Sequence, residues 1–482
     1  MKQEKKAYDI IFILTVMVLL LIPSLGMIFY PTTVSYENRE LKELPVVFTP
    51  DGSFNRGFFD EVSDYAADHI ALRNEISALY AVANAGIFSV SARDSVILGE
   101  DGWLYYTASS DDYLHKDLIS GRELFNIAHN MALMQEYCRL LGKEAVFIIA
   151  PNKNSLYGEH MPKAYKDAKL RFDNEYSDME RLMPYLSAEG VNHIDLEELL
   201  RARDETLYYK TDSHWNNKGA LIVYRELMEK AGVRAPDFSQ EAPGVSVDFT
   251  GDLNKMLYGM AAKPEERLEY IKDRTYFYYK DGEAINIEDS EMVENNEVET
   301  VNPYGSGNLL MYRDSFANSL IPYLSQTFSY AFYSKIVPYN LTDLVTKAPD
   351  YVIIEKAERH LPTFAEVPPI MSAPLRMIET EPLEAELLSE NTDIKNDGVY
   401  YNISGWLKDT DIVSEDSGIY ICPGEWAGQA YEAFLVSGKA GDYGFSCYIP
   451  VSSGLPEDTD FSVIVENNGV YYINSLPCRF TE

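Results

Sequence analysis

The sequence predicts a membrane-anchored protein of the α/β class, in which a domain with a mostly parallel sheet follows a transmembrane helix and precedes a small all-β sandwich. Three observations predict it. Ile10 to Tyr30 is an uncharged apolar run behind a short basic N-terminus. Short apolar runs then alternate with amphipathic helical patterns up to about residue 367, the rhythm of strands and crossover helices. From about residue 385 the texture changes to short aromatic and β-branched runs between Gly, Pro and Asn turns, the spacing of a sandwich.

The anchor comes first. Crossing a bilayer core takes roughly 20 apolar residues, which Ile10–Tyr30 supplies. A cleavable signal peptide has a shorter apolar region and a small-residue cleavage site, whereas here the chain continues Pro31-Thr32-Thr33. The expectation is an uncleaved anchor over residues 1–30. Lys2, Lys5 and Lys6 precede it. The positive-inside rule therefore puts the N-terminus in the cytoplasm and everything after Tyr30 outside, a single-pass protein of the cell membrane.

Residues 31–95 are expected to be a juxtamembrane helical segment. Phe58, Phe59, Val62, Tyr65, Ala66, His69 and Ile70 recur at three- and four-residue steps, and the helical pattern runs from Phe54 to about Ile87. Residues 96–367 form the main α/β domain. Its strands are expected at Ala145–Ala150, ending at Asn192–Asp195, at Asn308–Tyr312 and at Tyr351–Ile354. Its helices are expected at Leu124–Leu141, Leu196–Arg203, Asn217–Lys230 and Phe316–Phe328. The Glu-, Asp- and Asn-rich residues 281–300 read as an exposed loop. The sandwich is expected over 385–482, after a boundary near Val367-Pro368-Pro369.

The formal charge of −35 excludes nucleic acid as a partner, since that needs basic patches, and would repel anionic polymers except at a locally basic cleft. Cys422, Cys447 and Cys478 can hold at most one disulfide between them, and Cys138 stands alone. Four reduced, buried thiols are the expectation, and no spacing resembles a zinc site.

Two loops carry residues suited to catalysis. In Thr211-Asp212-Ser213-His214-Trp215, the aspartate can turn back, accept the imidazole Nδ1–H, fix the tautomer and stabilise the imidazolium. Trp215 could wall such a site. Read alone, the loop is more simply an ordinary one with Asp212 as a helix cap. In Tyr312-Arg313-Asp314-Ser315-Phe316 a strand ends and a helix begins. Ser315 stands at the turn, and unpaired N–H groups of the first helical turn can face an oxyanion. Here too a simple cap by Asp314 or Ser315 is the alternative. Together the loops supply a nucleophile, a base and an orienter. The other histidines, His69, His115, His129, His160, His193 and His360, lack such a partner in sequence or read as packed. In the sandwich, Tyr400, Tyr401, Trp406, Trp426, Tyr471 and Tyr472 could stack on sugars, with core packing the plainer role.

Over residues 36–362 the sequence resembles the SGNH-hydrolase-like O-acetyltransferases of the alginate type (AlgX/AlgJ-like) and the DHHW-type proteins of Gram-positive bacteria. The matching pieces are Glu37-Asn38-Arg39-Glu40-Leu41, Asp68-His69-Ile70-Ala71-Leu72-Arg73, Gly102-Trp103-Leu104-Tyr105-Tyr106, Pro151-Asn152-Lys153 with Tyr157 and Pro162, Thr211 to Trp215, and Asp314-Ser315-Phe316. The resemblance implies an SGNH-like fold, Ser315 as nucleophile, His214 as base and Asp212 as its orienter. Arg313 stands where the family has glycine, and is expected to alter the loop or to bind an anionic substrate group.

The function so implied is O-acetyl transfer to a cell-surface or exported polysaccharide through an acetyl-serine intermediate. The Ser315–Phe316 backbone, with Asn152 or Lys153, would hold the oxyanion. No cofactor is expected, because acetyl-CoA does not reach that side of the membrane, and a multi-pass membrane acyltransferase would be the acetyl donor. Two rivals use the same residues: a carbohydrate esterase with water as acceptor, and a non-catalytic glycan-binding scaffold of an export complex, which Arg313 favours.

Overall fold

The computed structural model describes residues 2–37, 40–172, 174–387, 392–408, 411–439, 441–456 and 459–474, with side chains from Tyr8 onward. Helix α1 (Lys2–Gly26) contains the stretch Tyr8–Gly26, the one helix among the described residues long and apolar enough to cross a membrane. The continuous helical pattern expected over Phe54–Ile87 is broken in two, as α2 (Phe58–His69) and α3 (Arg73–Ala83). The break is at Ile70–Leu72, where Leu72 adopts φ +62°. A buried carboxylate cluster fixes that corner. Glu37 pairs with Arg73 at 2.7 Å and with Arg93, and Asp68 accepts the Lys42 N–H at 2.9 Å.

An eight-stranded sheet forms the centre. Its strands are β1 (Ala145–Ala150), β2 (His193–Ile194), β3 (Phe277–Lys280), β4 (Glu283–Ile285), β5 (Glu297–Val301), β6 (Asn308–Tyr312), β7 (Tyr330–Ser334) and β8 (Tyr351–Ala357). The order is β2-β1-β8-β6-β7-β5-β3-β4. The first five run parallel, and β5, β3 and β4 add an antiparallel edge. Two of those edge strands replace the exposed loop expected at 281–300. In β5, Val298 and Thr300 point inward and are buried while Glu297 and Glu299 face out. Acidic content hid a period-two pattern. Strand β7 and the small hairpin Val96–Leu98/Leu104–Tyr106 were also not legible in the sequence. Phe316–Phe328 is a 3₁₀ turn, Phe316–Ser319, followed by a helix, Ile321–Thr327.

Both sheet faces are covered, as the continuous apolar strands require. On one face Val146, Ile148, Leu309, Met311 and Ile353 meet helix α5 (Asn217–Lys230) through Ala220, Val223, Tyr224 and Leu227. On the other, Phe147, Ile149, Leu310 and Ile354 meet helix α4 (Gly121–Leu140) through Leu124, Ile127, Met131 and Met134. After β8 the chain builds a six-stranded and a four-stranded sheet. Ile403, Leu435, Phe445 and Cys447 from one and Ile419, Ile421, Val463 and Val465 from the other share a core. This second unit packs on α4: the Asn130 side chain exchanges hydrogen bonds with both the N–H and the carbonyl of Leu435, and Arg122 donates to the carbonyls of Glu415 and Ser417. Cys138, Cys422 and Cys447 are buried free thiols; Cys478 lies outside the described residues.

Candidate active site

The two loops meet beyond the carboxyl end of the parallel strands, where open α/β sheets place their ligand sites. Strand β6 ends at Tyr312, and Arg313-Asp314-Ser315 turns into the 3₁₀ segment without strain, Ser315 lying at φ −70°, ψ −21°. Asp314 pins the turn. Its N–H donates to Glu355 on β8 at 2.7 Å, its Oδ1 accepts the Phe316 N–H at 2.9 Å, and its Oδ2 accepts the Ala357 N–H at 2.8 Å. His360, without a partner in sequence, adds Nδ1 to Asp314 Oδ2 at 3.3 Å.

The other loop lies just before α5, which Asn216 caps by accepting the N–H groups of Lys218 and Gly219. His214 Nε2 lies 2.9 Å from Ser315 Oγ, and His214 Nδ1 lies 2.7 Å from Asp212 Oδ1. With Asp212 as acceptor, Nδ1 carries the proton and Nε2 presents its lone pair to the Ser315 hydroxyl. Burial alone would raise the Asp212 carboxyl, but the imidazole and the N–H groups of His214 and Asp252 hold it below the usual carboxylate range. Burial alone would lower His214; the Asp212 carboxylate outweighs it and raises the imidazole above its ordinary value. Asp212 is buried, while His214 and Ser315 are partly exposed, as a site reached by substrate requires.

A second carboxylate behind the histidine has no signal in the motif. Asp252 opens helix α6 (Asp252–Tyr258). Its N–H donates to Asp212 Oδ2 at 2.7 Å, its Oδ1 accepts the Ser213 N–H at 2.7 Å, and its Oδ2 lies 3.8 Å from His214 Nδ1. Burial and the Asp212 charge raise its carboxyl. Gly251 before it is required by space, because a side chain there would collide with the Thr211 carbonyl. Asp212, His214 and Asp252 offer ligand atoms within 4.8 Å of one another. Each is held in this hydrogen-bond set, and an Nδ1 that donates to Asp212 has no lone pair for a metal.

The remaining expected site residues divide. Lys153 is not an oxyanion donor: its Nζ lies 2.6, 2.7 and 2.8 Å from the carbonyls of Leu104, Lys210 and Asp212, which take all three N–H groups. Burial pulls its pKa down to about 7, but three carbonyl acceptors call for the ammonium form. Arg313 does not face substrate. It is fully buried and donates to the carbonyls of Val293, Asn295 and Asp314 and to Asn318; it ties the turn to the antiparallel edge. The Phe316 N–H is taken by Asp314, and its ring packs against His214 and Trp215 with centroids 4.8 and 5.1 Å apart. Trp215 is core, its Nε1 donating to Ser319 Oγ at 2.6 Å. Asn152 gives one amide N–H to Asp112 at 2.6 Å. Beside it lies a residue not singled out in sequence: Arg359, whose guanidinium stands 5.3 Å over the Phe316 ring and reaches Asn152 Oδ1 at 3.4 Å.

The chain is 28% identical over 174 residues to the probable alginate O-acetylase AlgJ of Pseudomonas syringae pv. tomato, a match covering 35% of this chain and 41% of that protein. The chain thus spans less than half the length of that relative. Among solved structures it is similar to a DHHW family protein from Eubacterium siraeum, at 17% identity and a TM-score of 0.41 over 54% of this chain and 89% of that one. It is also similar to the O-acetyltransferase domain of Pseudomonas putida AlgJ, at 16% identity and a TM-score of 0.35 over 56% and 93%. Residues 96–289, which hold Asp212 and His214 while Ser315 lies beyond them, match the family described as the SGNH hydrolase-like domain of acetyltransferase AlgX, and over that span the chain is similar to such a domain.

Proposed function

We propose that the chain is a membrane-anchored O-acetyltransferase that acetylates a polysaccharide outside the cytoplasm through Ser315, His214 and Asp212. The observation that carries this reading is the His214 ring, with Nε2 at 2.9 Å from Ser315 Oγ and Nδ1 at 2.7 Å from Asp212. The AlgJ-type relatives support the reaction class and a polysaccharide acceptor, and the apolar α1 supports the anchor.

In the first half-reaction His214 Nε2 takes the Ser315 proton as Oγ attacks the acetyl carbonyl, and the imidazolium returns that proton to the donor's leaving oxygen. Acetyl-Ser315 remains. In the second, His214 deprotonates a sugar hydroxyl, which attacks the acetyl-serine, and Ser315 recovers its proton. The oxyanion falls to the Ser315 N–H, which has no acceptor among the described residues, with the second amide N–H of Asn152 as a further donor. A multi-pass membrane acyltransferase is the proposed acetyl donor. The half-buried Trp406 lines a groove of about 380 Å³ with Asp393, Ser404 and Ser446, a place for the glycan on the sandwich; Tyr400 and Tyr401 are buried there as core.

The test uses an activated acetyl ester. Intact-mass analysis is expected to find one acetyl group on Ser315, lost on adding acceptor oligosaccharide and absent in Ser315→Ala. Loss of the acetyl group to water at the same rate with and without acceptor would turn the reading to an esterase. No acetylation at all would turn it to a scaffold.

A further inference from the structure

Residues 76–92 contain no charged side chain, in a chain that is 24% charged. The structure ties the corner just before this stretch to the end of α1. The Ala71 N–H donates to the Pro23 carbonyl of α1 at 3.2 Å, the Thr32 N–H to the His69 carbonyl at 3.1 Å, and Thr32 Oγ1 to the Ile70 carbonyl at 2.8 Å. The Ala71 methyl packs on Gly26, and the Asn74 amide donates to the Val34 carbonyl. Helix α3 is thereby tied to the last turn of α1.

Its amphipathicity is inverted. The small Ala78 and Ala81 are buried against α6 and the turn Gly259–Ala261, while the large side chains face out. Leu79 is 71% exposed and Tyr80 61%, and in the turn that follows Ile87 is 73% exposed and Phe88 66%. Ile76, Val82 and Val90 extend the same surface. A helix solvated by water does the opposite, and a continuous apolar surface of this kind marks an interaction site.

We propose that this face lies in the interfacial layer of the bilayer from which α1 emerges, its aliphatic side chains in the acyl region and Tyr80 at headgroup level. The proposal rests on the reading of α1 as a spanning anchor. Continuity with that anchor selects lipid as the occupant, since the surface begins at Ile76, shortly after the Ala71 that packs on Gly26 at the end of α1. The uncharged stretch costs no desolvated ion, and aromatic residues favour the interface. With a net charge of −35, attraction to anionic headgroups plays no part, so neutral lipid suffices. Helix α3 packs on α6, whose first residue donates to Asp212. The seating therefore fixes how the Ser315 site stands over the membrane.

The test uses the full chain in phosphatidylcholine vesicles, with an environment-sensitive fluorophore on Leu79→Cys, Phe88→Cys, Leu14→Cys or Leu170→Cys, one at a time, and the unsubstituted chain as background for the native cysteines. Leu14 reports the anchor, and Leu170, 85% exposed on the α/β unit, reports water. Labels at 79 and 88 are expected to be blue-shifted, quenched by shallow spin-labelled lipid and shielded from iodide, while that at 170 is quenched by iodide. Water-like, iodide-quenched labels at 79 and 88, with the label at 14 quenched by deep spin-labelled lipid, overturn the seating and leave the anchor standing. A label at 14 that no lipid quenches overturns the anchor and the seating together.

Discussion

The ammonium of Lys153 lies 2.8 Å from the carbonyl oxygen of Asp212 and holds the carbonyls of Leu104 and Lys210 at the same time. A cation in a Pro-Asn-Lys piece looks like a group for substrate, yet here it shapes the loop that presents Asp212 and His214. Lys153→Met leaves three carbonyls, those of Leu104 and Asp212 buried, without a charged donor. Hydrogen bonds to charged groups contribute roughly 1.5–3 kcal/mol each and a stranded buried acceptor costs about 1–3. A loss of about 3 kcal/mol or more is expected in denaturant unfolding, and an unchanged midpoint would remove the structural role.

Asp212→Asn is expected to lose activity by about 10³–10⁴-fold, the scale of a triad aspartate whose amide imposes the wrong tautomer. It also loses stability, because Oδ1 and Oδ2 accept from His214 and from the Asp252 N–H and one amide nitrogen must then face a donor. Ser315→Ala should abolish the acetyl-enzyme and change stability by no more than about 1 kcal/mol. Acetyl-enzyme formation and unfolding, measured on both variants, check the pair. An active Ser315→Ala variant would sink the mechanism.

On the proposed mechanism the pH profile follows from His214. His214 must be neutral to take the Ser315 proton, and its pKa is raised above 6.5. Acetyl transfer should therefore fall on the acid side, with a midpoint above 6.5. Asp252 adds to that rise, so Asp252→Asn should move the midpoint of kcat/KM to lower pH. A profile that keeps its midpoint in the variant would mean that Asp252 only braces the loop.

Glu355 is fully buried beneath the Ser315 turn and has Oε1 without a partner. Burial, then the Asp314 charge, raises its carboxyl well above the usual range. The folded state thus holds a proton that the unfolded state releases above about pH 4.5, so stability falls as pH rises through that window. Glu355→Gln keeps the acceptor for the Asp314 N–H and removes the titration. Relative to the parent it should gain stability between acid and neutral pH, read as unfolding midpoints at pH 5 and 7.5. A parallel pH dependence in the two proteins would refute this.

The C-terminal sandwich is proposed to fold as a fragment only when cut early enough. Leu375–Met377 pairs with Gln429–Glu432, and Leu383–Ala385 pairs with Val470–Asn474, so a start at Glu384 removes one strand and splits another. A fragment from Met371 should melt cooperatively, and one from Glu384 should not. In the full chain Asn130→Ala breaks both bonds to Leu435 and should cost about 2 kcal/mol. Equal melting of the two fragments would contradict the assignment of the edge strands.

The apolar helix α1, the strands Ala145–Ala150 and Asn308–Tyr312 and the serine at the end of one of them were legible in the sequence, because local hydrophobic period and turn chemistry determine them. So were the members of the Asp212-x-His214 pair, since two residues of spacing let a carboxylate reach its own neighbour's ring. The acidic edge strand Glu297–Val301 was not, because its charges lie on the solvent face and a count of charge hides alternation. Nor could the sequence say which donors are free. Lys153, Arg313 and the Phe316 N–H all look available one at a time, and only the folded chain brings the carbonyls of Leu104, Val293 and Asn295 and the carboxylate of Asp314 to take them. Asp252 and Arg359 entered the site by the same route. Hydrogen-bond satisfaction in a buried loop depends on partners distant in the chain, so local pattern names the chemistry that a site can do and tertiary packing decides which residues are left to do it.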